Sequence, residues 1–447
     1  MSRPWSPEHA ERHLRSLELF GMRFGLDRMR RMMTALGSPE RRFDSIHVVG
    51  TNGKSSTTRM IAAILESHGL RTGSYLSPHL VSYVERVQIG GHDIETHAFA
   101  AAVARAAWAA ERVNRTLAED DHVTQFELLT AAALWEIARR DVQVAVLEAG
   151  LGGRYDATNV VDSTVAVLTN VGLEHTRWLG PTLHHIATEK LAVVGDSSIL
   201  AVGARMAPEV EEVARKTAAE HGARLLVADA AAPDLELGAR GSFQRENFAL
   251  ARAAAEAYLT RAGIEPRETA VRDAAARTLV PGRMQVVASD PLTVLDGAHN
   301  TPATHALAHA LPQLLSGRPL GLVLGVLDDK DATGMLGALL PLCERAWFTA
   351  PPSRRALSPA TLQSLATQLG FERSTCEPQP LRALEQARSW ARAQTRETAV
   401  LASGSVYLVG DLLAHSRELE LDRVPEGFEI GERSAAEHEQ TESRGAA

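Results

Sequence analysis

A mixed α/β fold with a largely parallel sheet is predicted by three observations. Short apolar runs alternate with helical stretches along most of the chain. The alternation restarts after Pro281-Gly282. And 447 residues, at roughly 150 residues per domain, leave room for two or three domains, each able to bury its own core.

The elements follow in order. Apolar runs at 46–49, 142–147, 165–169, 199–202 and 225–227 read as strands. Between them, 56–68, 99–115, 127–140, 182–193 and 208–221 read as helices, and an Ala-rich helix follows at 247–262. In the second half, 292–295, 320–324, 346–349 and 399–402 read as strands, separated by helices at 304–315, 359–369 and 381–393. This divides the chain into an N-terminal domain, 1–288, and a smaller Rossmann-like α/β domain, 292–424. The stretch 425–447 is polar, aperiodic and rich in Glu, Ser and Arg, and is expected to be a disordered tail.

Composition narrows the function. With 47 basic and 55 acidic residues the net charge is −8, without the basic clustering of a nucleic-acid or anionic-membrane binder. The two cysteines, Cys343 and Cys376, provide neither a disulfide framework nor metal-ligand spacing. The first residues lack an apolar signal core, and no apolar run approaches the roughly 18 residues of a membrane span. These features predict a cytoplasmic protein. Only four lysines occur, Lys54, Lys190, Lys216 and Lys330, in a chain that otherwise uses arginine for positive charge. Lysine therefore marks places where a compact ammonium or a titratable amine is needed.

The strongest local signal is His47-Val-Val-Gly-Thr-Asn-Gly-Lys-Ser-Ser-Thr57, which follows a strand and opens a helix. That is the context of a phosphate loop, and it marks the N-terminal domain as P-loop ATPase-like. Gly50 and Gly53 let backbone N–H groups approach phosphate oxygens, Lys54 supplies a point charge, and Ser55 or Ser56 a hydroxyl for phosphate or metal. The loop is shorter than the standard form, since Val48 stands five residues before Gly53. Glu148 follows an apolar run that reads as buried on both faces, where a carboxylate is costly unless paired or bound to metal. Ser77 and His175 also lie just past strand ends, where open α/β sheets bind ligands.

The short loop resembles that of the Mur ligases, ATP-dependent amide ligases. Further motifs resemble the folylpolyglutamate synthase/dihydrofolate synthase branch: Ser77-Pro-His-Leu80, Leu147-Glu-Ala-Gly-Leu-Gly-Gly-Arg-Tyr-Asp-Ala-Thr-Asn159, Gly172-Leu-Glu-His-Thr-Arg-Trp-Leu-Gly180, Pro281-Gly-Arg283, Leu295-Asp-Gly-Ala-His-Asn300, Asp329-Lys-Asp331 and Ser403-Gly-Ser-Val-Tyr-Leu-Val-Gly410. The resemblance implies transfer of the ATP γ-phosphoryl to a pterin carboxylate and attack of the L-glutamate amine on the acyl phosphate. The acceptors would be dihydropteroate and reduced folates. It implies ATP contacts at Asn52, Gly53, Lys54, Ser55, Ser56, Asn247, Arg283, Asp296 and His299, with two domains closing over the nucleotide. It implies two Mg²⁺ ions, with Ser77, Glu148 and His175 as ligands and a carbamylated Lys190 near the second. Here Leu191-Ala-Val-Val-Gly195 follows that lysine, where the family has a small residue and Gly. Lys54, Lys190 and His175 are the expected catalytic groups.

Pterin contacts are implied at Gly25, Leu26, Asp27 and Arg28 (after Phe24), at Thr124, Gln125, Phe126 and Glu127, and at Tyr155, Asp156 and Ala157. Tyr155 replaces the Leu more usual in the family. Arg354 is placed to hold the glutamate carboxylates, which a planar guanidinium suits. The resemblance leaves open a monofunctional polyglutamylase and another Mur-type amino-acid ligase. Outside the family, a nucleotide-regulated switch or a simple kinase are the competing classes. The guanine-reading Asn-Lys-x-Asp of a GTPase is absent, and Asp329-Lys-Asp331 lacks its leading Asn. The chain is expected to be a monomer.

Overall fold

The computed structural model describes residues 4–17, 25–231 and 234–419. Phe24 and the 425–447 stretch lie outside the described residues.

The first sheet contains β1 (Asp44–Val49), β2 (Thr72–Tyr75), β3 (Val87–Ile89), β4 (His92–Asp93), β5 (Val144–Glu148), β6 (Val165–Leu168), β7 (Ile199–Val202) and β8 (Arg224–Val227). Their order across the sheet is β4-β3-β2-β5-β1-β6-β7-β8. Every pairing from β2 to β8 is parallel, and β3 and β4 add an antiparallel edge. The central strands β1, β5 and β6 carry almost only buried residues, as strands covered on both faces must.

The helices of this half are α1 (Pro7–Ser16), α2 (Asp27–Leu36), α3 (Lys54–Ser67), α4 (Thr96–Asn114), α5 (Gln125–Arg139), α6 (Thr176–Leu179), α7 (Leu183–Leu191), α8 (Pro208–Glu220), α9 (Ser242–Arg261) and α10 (Glu268–Arg277). Met29, Val103, Leu134 and Tyr75 join α2, α4, α5 and β2 in one core. Ile61, Phe248, Ala255 and Val271 join α3, α9 and α10 in a second, against β1 and β6. A third lies under α7 and α8.

The second sheet contains β9 (Gln285–Ser289), β10 (Leu292–Leu295), β11 (Leu320–Leu324), β12 (Arg345–Phe348), β13 (Ser374–Cys376) and β14 (Ala399–Ser403), in the order β13-β12-β11-β14-β10-β9. It is parallel apart from the β9/β10 hairpin. Its helices are α11 (Thr301–Leu315), α12 (Ala332–Leu339), α13 (Pro359–Gln368), α14 (Pro380–Arg392) and α15 (Val406–Ala414). They bury both sheet faces, around Leu322 and Leu336 on one side and Trp347 and Leu384 on the other. Because β9 already belongs to this sheet, the second unit begins before the 288–291 junction read from sequence.

Candidate active site

The carboxyl ends of β1, β5 and β6 face the start of the second unit across a cleft of about 490 Å³. Asn52, Gly53, Lys54, Ser55, Ser56, Ser77, Glu148, His175, Lys190, Asn247, Arg283, Asp296 and His299 all line it. These thirteen are the nucleotide, metal and catalytic candidates, and the fold brings them together from segments up to 247 positions apart (299 − 52).

The phosphate loop is held from three sides. Gly53 caps α3 at φ 82°, and a Cβ there would collide with Asn247 Oδ1, so glycine is required on both counts. From the loop after β6, Asn170 Oδ1 accepts from Asn52 N (3.0 Å) and its Nδ2 donates to Asn52 O (3.1 Å), while Gly172 N donates to Thr51 Oγ1 (3.0 Å). From the second unit, Asn300 Nδ2 donates to Asn52 Oδ1 (3.0 Å) and Asn52 Nδ2 to Asn300 Oδ1 (3.3 Å). The free N–H groups at the start of α3 thus face the cleft, as an anion site needs.

Both expected lysines converge on one atom. Lys54 Nζ donates to Gly50 O (3.2 Å) and Thr51 O (3.1 Å), and Lys190 Nζ donates to Gly50 O (2.8 Å). Lys190 is only 4% exposed. Burial first, and the Lys54 ammonium second, bring its pKa down to about 7. Near neutral pH a large share of this amine is therefore uncharged.

Glu148, 1% exposed, ends β5. Its Oε1 accepts from Ser55 Oγ (2.9 Å) and its Oε2 from Ser77 N (3.0 Å), and burial raises its pKa while Lys54 opposes the shift. A buried carboxylate flanked by two serines fits a hard divalent cation that keeps waters and phosphate oxygens as its other ligands. Among the described residues no three His, Cys, Asp or Glu side chains are placed to enclose a metal on their own. His175 caps α6 at φ 52°, and its desolvation lowers its pKa.

On the second unit, Asp296 is a support: its oxygens accept from Met284 N (2.8 Å) and Ala298 N (2.7 Å), fixing the turn after β10. Arg283 Nη1 donates to Gly282 O (2.9 Å) at the cleft wall. His299 Nδ1 pairs with Gly297 O (2.9 Å), and burial brings its pKa down to about 4.

Sequence reasoning missed Asn170, Glu174, Asn300 and Lys330. Lys330 Nζ, from the second unit, lies 3.0 Å from Glu174 Oε1 of the first. Burial alone would raise the Glu174 pKa, but Lys330, His299 and His175 together hold it down to about 2. The scarcity of lysine pointed to Lys330, and both residues stood inside quoted motifs. The pairing across 156 positions was not visible there.

The pterin candidates do not line this cleft. Arg28 is buried against Glu127 (3.0 Å) and Asp121 (3.0 Å). Glu127 also closes a capping box with Thr124 at the start of α5, and Gln125 Nε2 donates to Leu14 O (2.7 Å). Asp156 is buried, accepting from Leu151 N (2.8 Å) and Thr158 N (3.0 Å), and so shapes the glycine-rich loop. In the structure the polar atoms of these side chains are engaged within the fold. Asp27 forms an exposed pair with Arg31 (2.8 Å), Gly25 and Leu26 lead into α2, and Ala157 is buried. The ring of Phe126 lies against Gly150 of the cleft wall, and Tyr155 is 45% exposed. Arg354 is exposed, whereas its neighbour Arg355 is tied to Asp329 (3.1 Å), next to Lys330.

Comparison with known proteins agrees with this geometry. Residues 48–234 match the Mur ligase middle domain and 282–406 the Mur ligase glutamate ligase domain. The dihydrofolate synthase/folylpolyglutamate synthase of Escherichia coli is 33% identical over 417 residues, 90% of this chain and 93% of that protein. That of Bacillus subtilis is 29% identical over 418 residues, 88% of this chain and 95% of its own. Among solved structures, Mycobacterium tuberculosis folylpolyglutamate synthase complexed with ADP superposes with a TM-score of 0.85 at 31% identity, covering 91% of this chain and 97% of that one. Escherichia coli FolC in complex with DHPP and ADP gives 0.81 at 30%, covering 93% and 99%. With matching domains, near-complete coverage and a cleft built on the same motifs, the chain belongs to the dihydrofolate synthase/folylpolyglutamate synthase family of Mur ligases.

Proposed function

We propose that this chain is an ATP-dependent ligase that joins L-glutamate to dihydropteroate and, as a second activity, to reduced folates. The observation that carries this reading is the convergence of a phosphate loop, a buried carboxylate and an arginine from the second unit on one cleft. A carboxylate is a poor electrophile. Transfer of the γ-phosphoryl to one of its oxygens releases ADP and gives an acyl phosphate. The glutamate amine then attacks the acyl carbon, and phosphate departs with that oxygen. Most of the catalysis is positioning and charge neutralisation.

In this reading the N–H groups at the start of α3 and Lys54 hold the phosphates, and Arg283 meets them from the opposite wall. Asn247 lies where it can contact the nucleotide beside Gly53. Glu148, Ser77 and His175 would hold Mg²⁺, which when bound neutralises charge on the phosphoryl being transferred. Lys190 is the carbamylation site: its neutral amine adds to the carbon of CO₂, an N–C bond forms and a proton leaves to solvent. The product is a carboxylate-like group beside Gly50. Phe126 and Tyr155 face the pterin, and Arg354 or the better anchored Arg355 the glutamate carboxylates.

The test is glutamate-dependent ADP release by the purified chain with ATP and Mg²⁺, offered dihydropteroate and a reduced folate in turn. Turnover with both is expected. Turnover with the reduced folate alone would make the enzyme monofunctional, and turnover with neither would remove the pterin reading.

A further inference from the structure

The loop after β2 touches both halves of the molecule. At its start, Ser77 N donates to Glu148 Oε2 (3.0 Å). Three residues on, Leu80 leaves the first unit and packs into the core of the second, the cluster that contains Val287, Leu295, Leu408 and Val409. The seat is tight. A Cβ at Gly410 would overlap the Leu80 carbonyl oxygen and lie 2.9 Å from its carbonyl carbon, and one at Gly282 would lie 3.1 and 3.2 Å from the two Leu80 methyl carbons.

The stretch that joins these ends is stiff. Glu85 accepts from the backbone N–H groups of Leu80 (2.8 Å), Val81 (2.9 Å) and Ser82 (2.6 Å), and Arg86 Nε donates to His79 Nδ1 (2.9 Å). The seat is also continuous with the far wall of the cleft: Gly282 precedes Arg283, and its carbonyl accepts from Gly297 N (2.8 Å). A close-packed contact of this kind transmits displacement instead of absorbing it.

We infer that Leu80 is a positioning residue for the ligation reaction: seated between Gly282 and Gly410, it ties the stance of the second unit, and with it Arg283, to Ser77 and Glu148. This rests on the proposed function for the chemistry that is positioned. The seating itself is independent of it.

The experiment compares wild type with Leu80→Ala, Leu80→Met and Gly410→Ala in two readouts. The first is kcat for glutamate-dependent ADP release beside the Kd of a non-hydrolysable ATP analogue. The second is small-angle X-ray scattering with that analogue bound. Leu80→Ala should lower kcat on the order of 10²-fold, the scale of a misplacement of about 1 Å, while weakening the analogue's Kd by much less than that factor, because the phosphate loop of the first unit keeps its contacts and only the Arg283 side is displaced. Gly410→Ala, which keeps the Leu80 side chain but pushes its backbone carbonyl away from α15, should reproduce that loss, and Leu80→Met, which conserves volume, should retain most of kcat. Both disabling variants should broaden the distribution of domain separations in scattering. A lowered melting temperature with kcat and scattering unchanged in Leu80→Ala would reduce Leu80 to a packing residue and overturn the inference. If the wild type itself releases no ADP in response to glutamate, the proposed function fails, and unchanged scattering in Leu80→Ala then overturns the positioning role separately.

Discussion

The Gly50 carbonyl oxygen accepts from the side-chain nitrogens of both Lys54 and Lys190. Lys54 lies at the cleft beside the start of α3, where a phosphate would satisfy it. Lys54→Ala should therefore cost about 3 kcal/mol or more of transition-state stabilisation, a kcat lower by at least 10²-fold on the usual conversion, with an unchanged melting temperature. Near wild-type turnover in that variant would show that the loop does not hold the transferring phosphoryl. Lys190 is held at a pKa of about 7 by burial and by Lys54. Its neutral form, the one able to add to CO₂, gains population as pH rises through that value. Activity in CO₂-depleted buffer should then be restored by added bicarbonate more fully above pH 7 than below it. Lys190→Arg keeps the charge but cannot be carbamylated, so it should be as inactive as Lys190→Ala in the same assay. Full activity of the arginine variant would leave Lys190 only its hydrogen bond to Gly50.

At the scale of elements, α2 and α5 are pinned by a buried pair that sequence comparison presents as a substrate contact. Glu127 holds Arg28 and caps α5 at once. Glu127→Ala removes one of the carboxylates paired with the buried Arg28 guanidinium, which keeps Asp121, and should lower stability by about 1–3 kcal/mol in denaturant titration. Thr124→Ala, which removes only the cap, should cost about 1 kcal/mol. A raised KM for the pterin with stability intact would return both to the substrate surface. The phosphate loop was legible in the sequence because its chemistry is local: glycines, a lysine and a serine in one turn determine what it can bind. The same holds for the existence of β1, β5, β6 and β7, whose runs are largely apolar, but not for their order across the sheet. The β3/β4 edge was not legible, since strands of two and three residues carry too little periodicity, and β9, the partner of β10, ran into the assumed junction. The internal pairing of Arg28, Glu127 and Asp156 was not legible for a different reason. Whether a charged side chain meets a ligand or a neighbouring helix depends on burial, which a motif does not reveal.

At the scale of the molecule, two polar contacts close the cleft: the reciprocal amide pair of Asn52 and Asn300, and the Lys330–Glu174 ion pair. Glu174 is nearly buried, so Lys330→Ala leaves its charge unpaired and should cost about 3 kcal/mol of the closed arrangement, read as a wider domain separation in scattering and a weaker response of kcat to ATP. Because Lys330, His299 and His175 outweigh the opposing effect of burial and hold Glu174 at a pKa of about 2, below its ordinary value, the pair contributes fully above about pH 4.5 and is lost only as pH falls towards 2. Closure should therefore be insensitive to pH across the neutral range. With the two units so joined, one centre would carry the phosphoryl from nucleotide to carboxylate. The most direct test is to supply dihydropteroate labelled with oxygen-18 in its carboxylate, with ATP, Mg²⁺ and L-glutamate, and to analyse the inorganic phosphate by mass spectrometry. Transfer of the label into phosphate in step with glutamate-dependent turnover is the predicted result; unlabelled phosphate alongside amide formation would contradict an acyl-phosphate route through this cleft.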